Sequence, residues 1–318
     1  MRNFIKLVSL FFVGATMTSC LDDKLSLDPA NSTNIVEFKN PSLFVSPYGS
    51  KYALYSRAFD LAPENDYPLT VSYSGANVAP EDITVTLGTD PTALTQYNTE
   101  QKKTYDLIPE SLYTIPAQVV IPKGQRTATV TVKVKSSSFD FSKKYVLPIQ
   151  IKSASSASVS GNFGTILLNL SAKNKYDGRY RVTNLVFNHL TNPAFAANSP
   201  RNRDLITLSA TQNSLFDVSN NTAFVSILSN GAASSFGAFS PVFTFNANDQ
   251  VTAVTNSVAL TDPTNATNKR EAKLDPTGVN KVTITGNSKV MEVSYIMVQN
   301  GSDILYLKEK WEYTGPRP

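Results

Sequence analysis

The residues that most limit the chemistry of this 318-residue sequence are its single cysteine, Cys20, and its single histidine, His189. One thiol excludes an internal disulfide and a multi-cysteine metal site, and one histidine excludes a multi-histidine metal centre. HExxH, GxSxG, P-loop and EF-hand patterns are also absent. The sequence therefore predicts no metal site, no cofactor and no catalytic residue. His189, in Phe187-Asn188-His189-Leu190, is predicted to form hydrogen bonds at a strand end.

Carboxylates leave one route to catalysis open. A glycosidase requires two carboxyl groups about 5 to 10 Å apart. Sequence alone permits such a pair among four glutamates, Glu271, Glu292, Glu309 and Glu312. A glycoside hydrolase or its accessory is therefore the third functional hypothesis, behind a binding role and a structural role.

Cys20 lies at the end of an export signal. Arg2 and Lys6 precede an apolar run, and small residues follow it up to Ser19. This pattern is typical of a secretory signal peptide over residues 1–19, and the run is too short to span a bilayer. The alternative, a buried N-terminal helix or strand, would not require cations before the run. The junction before the cysteine resembles the lipobox of bacterial lipoproteins, which implies that Cys20 is acylated and holds the protein on a membrane.

Three residues after the cysteine, Asp22, Asp23 and Lys24, resemble the acidic signal of surface-displayed Bacteroidetes lipoproteins. This resemblance implies an outer-membrane protein that faces the cell exterior. Residues 20–34 are polar and have no apolar period, so we predict a flexible tether between the lipid and the first domain.

The charge balance argues against a polyanionic partner. Without Arg2 and Lys6, which belong to the signal, 27 basic residues face 25 acidic ones. A near-neutral chain does not provide the dense positive surface that nucleic acids require, so no nucleic-acid partner is expected.

The chain from residue 35 shows the period-two pattern of β-strands. The clearest strand covers residues 127–134, where alanine and valines alternate with threonines and a lysine. One short helix is predicted, with Asp90 as its N-cap and Pro91 in the first position. Residues 122–125 separate two strands at hairpin spacing, and Gly124 suits a positive φ. About eight strands and one helix predict a β-sandwich.

Motif blocks in this region resemble the DUF1735 domain. They are, in order, Leu94-Thr95-Gln96-Tyr97-Asn98, Tyr105-Asp106-Leu107-Ile108-Pro109-Glu110-Ser111-Leu112-Tyr113, Val120-Ile121-Pro122-Lys123-Gly124 and Lys144-Tyr145-Val146-Leu147-Pro148-Ile149. That family is an N-terminal, immunoglobulin-like module of Bacteroidetes surface lipoproteins, often encoded beside SusC- and SusD-like proteins in polysaccharide-utilisation loci. The resemblance covers about residues 35–153 and implies an immunoglobulin-like sandwich, which we place over residues 35–170. Some relatives carry an endoglycosidase domain next, but its Asp-x-x-Asp-x-Asp-x-Glu motif is absent here.

A second domain is predicted after a linker over residues 171–175, where charged and small residues replace the apolar period. Residues 176–318 show about eight strand patterns and no sustained helical period, which predicts a second all-β domain, either a barrel or a sandwich. The Gly178-x-Tyr180 opening is similar to lipocalin-type barrels. Trp311, the only tryptophan, shares its strand face with leucines. Core packing is therefore predicted for it, with the mouth of a barrel as the alternative.

The longest irregular stretches of the second domain are residues 191–203 and 229–241, and loops carry binding sites more often than strands do. Phenylalanine faces suit the apolar side of a sugar ring, and Asn and Arg side chains suit its hydroxyls. The predicted ligand-binding residues are Phe195, Asn198, Arg201, Arg203, Phe236 and Phe239. The alternative is that the three phenylalanines hold their loops against the core.

These observations favour a non-catalytic, surface-exposed lipoprotein that binds an oligo- or polysaccharide for a SusC/SusD-type uptake system. The runner-up is a structural or adhesive, fimbrial-like lipoprotein, because two β-domains on a lipid anchor also describe such proteins. Fimbrial assembly by strand exchange requires a long propeptide, and residues 20–34 are too short to provide that strand plus a tether. Contact with the membrane is expected through the lipid anchor alone.

Overall fold

The computed structural model describes residues 33–39, 41–47 and 49–317. Cys20, Asp22, Asp23 and Lys24 lie outside these residues, as do the predicted signal peptide and most of the predicted tether. Among the residues described, no helix is both long enough and apolar enough to cross a membrane.

The first domain contains one α-helix, two short 3-10 helices (Glu110–Leu112 and Ser136–Ser138) and the first twelve strands of the described chain. The elements are β1 (Ile35–Phe38), β2 (Leu43–Phe44), β3 (Ala53–Asp60), β4 (Asn65–Ser74), β5 (Ile83–Thr89), α1 (Pro91–Gln101), β6 (Asp106–Leu107), β7 (Tyr113–Thr114), β8 (Gln118–Ile121), β9 (Thr127–Val134), β10 (Tyr145–Ala154), β11 (Ser158–Val159) and β12 (Thr165–Lys173).

Two sheets pack face to face in this domain. One has the strand order β11-β1-β4-β9-β7, and the other has the order β2-β3-β12-β10-β5-β8, with β6 beside β10. In β9, the side chains of Val130, Val132 and Val134 are buried between the sheets, and the intervening residues are more exposed. This alternation gives each sheet one apolar face, and burial of such a face stabilises the fold by about 25 cal/mol per Å². The predicted β-sandwich is confirmed.

The helix α1 begins where the sequence predicts. Asp90 Oδ1 accepts hydrogen bonds from the backbone N–H groups of Thr92 (3.1 Å) and Ala93 (3.4 Å), and Pro91 occupies the first position. The buried side of the helix, which includes Tyr97, packs on the outer face of the second sheet. A local capping signal was therefore sufficient to locate this element.

The hairpin predicted at residues 122–125 is wrong. Strand β8 pairs with β5 and strand β9 pairs with β4, so this segment crosses from one sheet to the other. Gly124 has a φ of 79°, as predicted. The crossing lets Ile121 and Val130 enter the same core from opposite sheets, which a hairpin within one sheet would not allow.

The segment predicted as a linker, residues 171–175, is partly strand. Its first three residues continue β12, because they pair in parallel with β3 up to Lys173 opposite Asp60. The backbone hydrogen bonds of this ladder outweigh the polar composition that marks a linker in the sequence. We propose that the boundary between the domains lies at residues 174–177.

The second domain contains the remaining strands. They are β13 (Gly178–His189), β14 (Phe195–Ala197), β15 (Arg201–Thr207), β16 (Gln212–Asp217), β17 (Ser226–Ser229), β18 (Ala232–Ser235), β19 (Pro241–Phe245), β20 (Val251–Asn256), β21 (Arg270–Leu274), β22 (Lys281–Thr285), β23 (Ser288–Gln299) and β24 (Ser302–Gly315).

Eight of these strands form a nearly closed barrel. The order is β20-β19-β16-β15-β13-β24-β23-β21, in which β13 and β24, the first and last strands, pair along their length. Strands β20 and β21 meet at the remaining seam, where Asn256 Nδ2 donates a hydrogen bond to the carbonyl oxygen of Arg270 (2.8 Å). Strand β22 flanks β23, and β14, β17 and β18 form a small sheet of their own. Of the two predicted architectures for this domain, the structure shows the barrel.

Side chains fill the interior of the barrel. Tyr295, Phe243, Met291 and Leu305 are fully buried together with Trp311, whose ring packs edge-on against Phe243 at 5.6 Å. An eight-stranded barrel is just wide enough for such side chains. The core position predicted for Trp311 is confirmed.

Candidate functional site

Two of the predicted ligand-binding residues, Phe236 and Phe239, are core residues, and their prediction as binding groups is corrected. Their side chains are 3% and 0% exposed. The chain folds back onto the barrel here, because the backbone N–H of Phe236 donates to the carbonyl oxygen of Val225 (2.9 Å). The ring of Phe236 also stacks on His189, with 5.9 Å between ring centroids. Both rings therefore hold their loop against the core, as the alternative interpretation stated.

Phe195 and Asn198 are partly exposed. The ring of Phe195 packs edge-on against His189 (5.1 Å) and Phe236 (5.5 Å), so it anchors β14 to the end of the barrel. Among the described residues, the side chain of Asn198 has no hydrogen-bond partner. A ligand contact by these two residues stays a prediction.

The two predicted arginines, Arg201 and Arg203, form ion pairs within the domain. Arg201 makes a bidentate salt bridge with Asp217, at 2.8 and 2.9 Å. Arg203 is fully buried and donates from its terminal nitrogen to Glu309 Oε1 at 2.7 Å. The prediction that these guanidinium groups bind sugar hydroxyls is corrected for Arg203, which does not reach the surface, and Arg201 is already occupied by a carboxylate.

Glu309 is the centre of this buried network. Its Oε1 accepts hydrogen bonds from Arg203 and from Asn184 Nδ2 (3.0 Å), and its Oε2 accepts from Tyr295 Oη (3.1 Å) and Trp311 Nε1 (3.0 Å). Burial first, and the charge of Glu309 second, raise the pKa of Tyr295 well above its usual value, so this phenol stays a donor. With four donors on two oxygens, Glu309 is a structural residue. Glu309 lies two residues before Trp311 in β24, so the two side chains share the face that points into the barrel. This spacing is the sequence signal for the buried position of Glu309.

The other three glutamates lie on the outer surface of the barrel. Glu271 is exposed on β21. Glu292 lies directly opposite Lys310, and the ammonium of Lys310 donates to Glu312 Oε1 at 2.8 Å. A cation thus stands between Glu292 and Glu312, and Glu309 points to the opposite side of the strand.

His189 has the strand-end role that its position predicts. It is the last residue of β13, and its Nδ1 accepts hydrogen bonds from the backbone N–H groups of Asn192 (3.1 Å) and Thr191 (3.4 Å). Burial, followed by the charge of Arg270, lowers the pKa of His189. The imidazole is therefore held neutral as an acceptor.

The outer face of β13, β24 and β23 carries cross-strand rows of residues. Residues directly opposite one another share a face of the sheet. One row is Val186-Lys308-Ser294, and the next is Asn188-Tyr306-Ile296. Together with a wall from residues 275–278, these rows enclose a shallow depression of about 370 Å³, here named the outer groove. Its lining residues are Val186, Asn188, Asp275, Thr277, Gly278, Ser294, Tyr306, Leu307 and Lys308.

The wall of the outer groove is held in place by hydrogen bonds to the backbone of Ser294 in β23. The backbone N–H of Asp275 donates to the carbonyl oxygen of Ser294 (2.9 Å), and Asn280 Oδ1 accepts from the N–H of Ser294 (2.8 Å). Gly278 passes so close that a Cβ on this residue would lie 2.3 Å from Ser294 Oγ. The groove is therefore a built feature and not an accidental gap between side chains.

Polar groups without internal partners surround the ring of Tyr306. Among the described residues, the amide of Asn188 and the ammonium of Lys308 form no hydrogen bond or salt bridge, and Val186 is 43% exposed beside them. Asp275 uses Oδ1 for its own turn with Thr277, at 3.0 and 2.7 Å, and this leaves Oδ2 toward solvent. The groove thus presents an aromatic ring, an amide, a cation and a carboxylate to a ligand. The alternation in β24 indicated that Tyr306 and Lys308 share a face, but the register that adds Asn188 required the structure.

In the part of the chain that the structure describes, no three His, Cys, Asp or Glu side chains lie close enough together to hold a metal ion.

Comparison with known proteins finds a family model that matches the first domain. A family model described as "-like, N-terminal domain" matches residues 38–158, which is less than half of the chain. This range agrees with the module expected over about residues 35–153. A search of curated proteins finds no match.

Several solved structures from Bacteroides are similar over most of their length. A protein of unknown function from Bacteroides ovatus has a TM-score of 0.57 at 14% identity, over 89% of this chain and 95% of that one. A multidomain protein including DUF1735 from Bacteroides ovatus has a TM-score of 0.45 at 15% identity, over 87% and 92%. An auxiliary nutrient binding protein from Bacteroides thetaiotaomicron has a TM-score of 0.43 at 14% identity, over 84% and 94%. The first of these shows that the two proteins share a two-domain β-fold.

Proposed function

We propose that this protein binds glycan in the outer groove without catalysing a reaction on it. The observation that carries the proposal is the set of groups around Tyr306. Asn188 and Lys308 have no internal partners among the described residues, and Asp275 has a free oxygen. Polar groups left open on a folded surface are available to a ligand at no cost in broken protein bonds.

The chemistry of the groove fits a sugar. The face of a tyrosine ring covers the apolar C–H side of a pyranose, while amide, ammonium and carboxylate groups bond to its hydroxyls. Its volume of about 370 Å³ falls within the range of small-ligand sites, about 300 to 1,000 Å³.

The proposed setting is the outside of the outer membrane. Acylation at Cys20 would hold the protein there, the acidic residues after it would direct it to the cell exterior, and the tether would give the domains reach. We propose that the glycan is passed to a SusC/SusD-type importer. One of the structurally similar proteins, from Bacteroides thetaiotaomicron, is an auxiliary nutrient binding protein. The proposal for this chain does not depend on that similarity, because it rests on the residues of the outer groove.

A glycan array and affinity electrophoresis on the soluble chain from Asp22 onward test the proposal. Tyr306→Ala should weaken retention about tenfold, because a ring contact of this kind contributes about 1 to 1.5 kcal/mol. Tyr52→Ala is the matched control, because Tyr52 is a partly exposed tyrosine of the first domain whose hydroxyl also forms a hydrogen bond. Equal retention of the Tyr306 and Tyr52 variants would reject the outer groove as the site.

A further inference from the structure

A second depression, separate from the outer groove, lies where the two domains meet, and we name it the junction cleft. It has a volume of about 290 Å³, and the charged residues of its walls are Asp60, Lys173, Lys175, Asp177, Lys289 and Arg317. Asp60 belongs to β3 of the first domain, and Lys289 belongs to β23 of the second, so both domains contribute walls. A neighbouring hollow continues it and shares Asp60, Lys173, Asn174, Lys175 and Lys289.

The walls of the junction cleft carry more positive than negative charge. Four cations line it, Lys173, Lys175, Lys289 and Arg317, against the two carboxylates Asp60 and Asp177. Arg317 is paired with Asp177, and Lys173 lies 3.5 Å from Asp60. Lys175 is paired with Asp249, which is not a cleft residue. Lys289 has no carboxylate within salt-bridge distance among the described residues, so this cation of the cleft forms no ion pair of its own.

Lys289 is partly buried in the wall of the cleft. Its ammonium lies 4.4 Å from the centroid of the Tyr313 ring, a cation–π contact that stabilises the cation but supplies no negative charge. Burial, as the largest cause, lowers the pKa of Lys289; the charge of Asp60 and then that of Asp177 act against this shift, and the charge of Lys173 adds to it. A half-buried cation that has lost part of its hydration is stabilised by an anion more than a cation on the open surface is.

The cleft is also held rigid on its barrel side. Asn174 is buried, its Nδ2 donates to Asn213 Oδ1 (2.7 Å), and its backbone N–H donates to Thr207 Oγ1 (3.1 Å). The backbone that carries Lys173 and Lys175, on either side of Asn174, is therefore held against the barrel that carries Lys289. A preformed arrangement of cations loses little entropy when a ligand binds.

We propose that the junction cleft binds the anionic group of a ligand, a carboxylate or a sulfate, with Lys289 as its main contact and Lys173 and Arg317 beside it. A uronic acid residue or a sulfated sugar would supply such a group. The cleft is distinct from the outer groove and goes beyond the function proposed there, since a neutral glycan has no reason to select it. Because both domains line the cleft, the bound anion would also join them.

The test uses the whole two-domain chain from Asp22 and three probes, sodium glucuronate, glucose 6-sulfate and glucose. Titrations followed by NMR should show saturable shifts of the Lys289 side-chain signals with the two anions and none with glucose. Lys289→Gln should weaken binding of both anions at least tenfold. The difference between the two anions decides whether the cleft prefers a carboxylate or a sulfate.

Lys308→Gln is the matched control, because it removes an unpaired lysine from the outer groove. If Lys308→Gln abolishes anion binding and Lys289→Gln does not, the anion binds in the outer groove and the junction site is rejected. Equal, small losses in both variants would indicate unspecific attraction and also reject it, as would the absence of saturation in the unaltered protein. Should Lys289→Gln lower the melting temperature, Lys173→Gln serves as a second variant. The proposed function is tested separately, by the dependence of neutral glycan binding on Tyr306, so either proposal can fail without the other.

Discussion

Arg317 and Asp177, 140 residues apart in the chain, form a bidentate salt bridge with distances of 2.9 Å (Nε to Oδ1) and 3.0 Å (terminal nitrogen to Oδ2). Asp177 Oδ2 also accepts from the backbone N–H of Thr207 (2.9 Å) and from its hydroxyl (2.8 Å). The bridge ties the end of the last barrel strand to the segment that leads into the first. It therefore adds a side-chain link to the pairing of β13 and β24 at the end that leads to the first domain.

We expect Asp177→Ala to lower the free energy of unfolding by about 2 kcal/mol, because it leaves the Arg317 guanidinium and the Thr207 donors unpaired in a nearly buried place. Urea unfolding measures this change. Asp60→Ala is the control, because Asp60 is 83% exposed in its ion pair with Lys173 and should change stability by less than about 0.5 kcal/mol. Similar losses in both variants would mean that the bridge does not stabilise the barrel more than an exposed ion pair does.

Breaking the buried ion pair of Arg203 and Glu309 should cost more stability than breaking the bridge of Asp177. Glu309→Ala should cost about 3 to 5 kcal/mol, because it leaves a charged guanidinium in the barrel core and removes the acceptor of Tyr295 and Trp311. The double variant Arg203→Met with Glu309→Leu should be less destabilised than Glu309→Ala, since it removes both charges together. Chemical denaturation of Arg203→Met, of Glu309→Leu and of the double variant completes the double-mutant cycle. Additive losses would show that the two charges act independently.

Particular residues show how much of this molecule the sequence predicts. The period-two pattern of residues 127–134 and the Asp90-Pro91 cap are local signals, and the structure has both elements where they were expected. The pairing of strands, in contrast, depends on residues that are far apart in the chain. Residues 122–125 have hairpin spacing, yet the strands on either side enter different sheets.

The candidate site shows the same limit. Phe236 lies in a stretch with loop composition, but long-range packing against His189 and Arg270 buries its ring. The outer groove depends on register, because Asn188 comes opposite Tyr306 only after a bulge between Asn184 and Val186 shifts the ladder. The alternation of apolar and polar residues in the sequence does not reveal this bulge, so it does not predict the register.

The lowered pKa of His189 predicts a loss of stability in mild acid. The unfolded chain has an ordinary histidine pKa of about 6.5, so below that pH it binds more protons than the folded chain. The contribution of His189 is fully present above about pH 6.5 and is lost as the pH falls toward the lower folded-state pKa. Protonation of Nδ1 would also remove the acceptor for the Asn192 N–H. His189→Asn keeps an acceptor oxygen near this position without a titrating group.

Thermal unfolding between pH 7.5 and 5 compares the two proteins. The unaltered protein should lose stability across this range faster than His189→Asn does. Parallel curves would mean that the acid sensitivity comes from other groups.

The location of the protein depends on residues outside those that the structure describes. Cys20→Ala should leave the protein unacylated and move it from the membrane fraction to the soluble fraction, because the lipid would be the only membrane attachment. Replacement of Asp22 and Asp23 by Ala should keep the lipid but reduce digestion by a protease added to whole cells. A Cys20→Ala protein that stays with the membrane would reject the anchor, and unchanged protease accessibility would reject the surface signal.

Gly278 provides a test of the outer groove that leaves its ligand-facing side chains in place. A Cβ at this residue would lie 2.3 Å from Ser294 Oγ and 2.5 Å from Ser294 Cβ, so Gly278→Ala must push the wall away from β23. We expect a loss of about 1 to 3 kcal/mol in stability, as for other overpacked sites, and weaker glycan retention because Asp275 moves with the wall.

Gly237→Ala is the control for this change, because a Cβ there would meet nothing within 4 Å and its φ is not positive. It should bind glycan and unfold like the unaltered protein. Affinity electrophoresis and urea unfolding of both variants separate the two effects. If Gly278→Ala lowers stability but retains glycan fully, the wall of residues 275–278 is structural, and the binding surface consists of Asn188, Tyr306 and Lys308 alone.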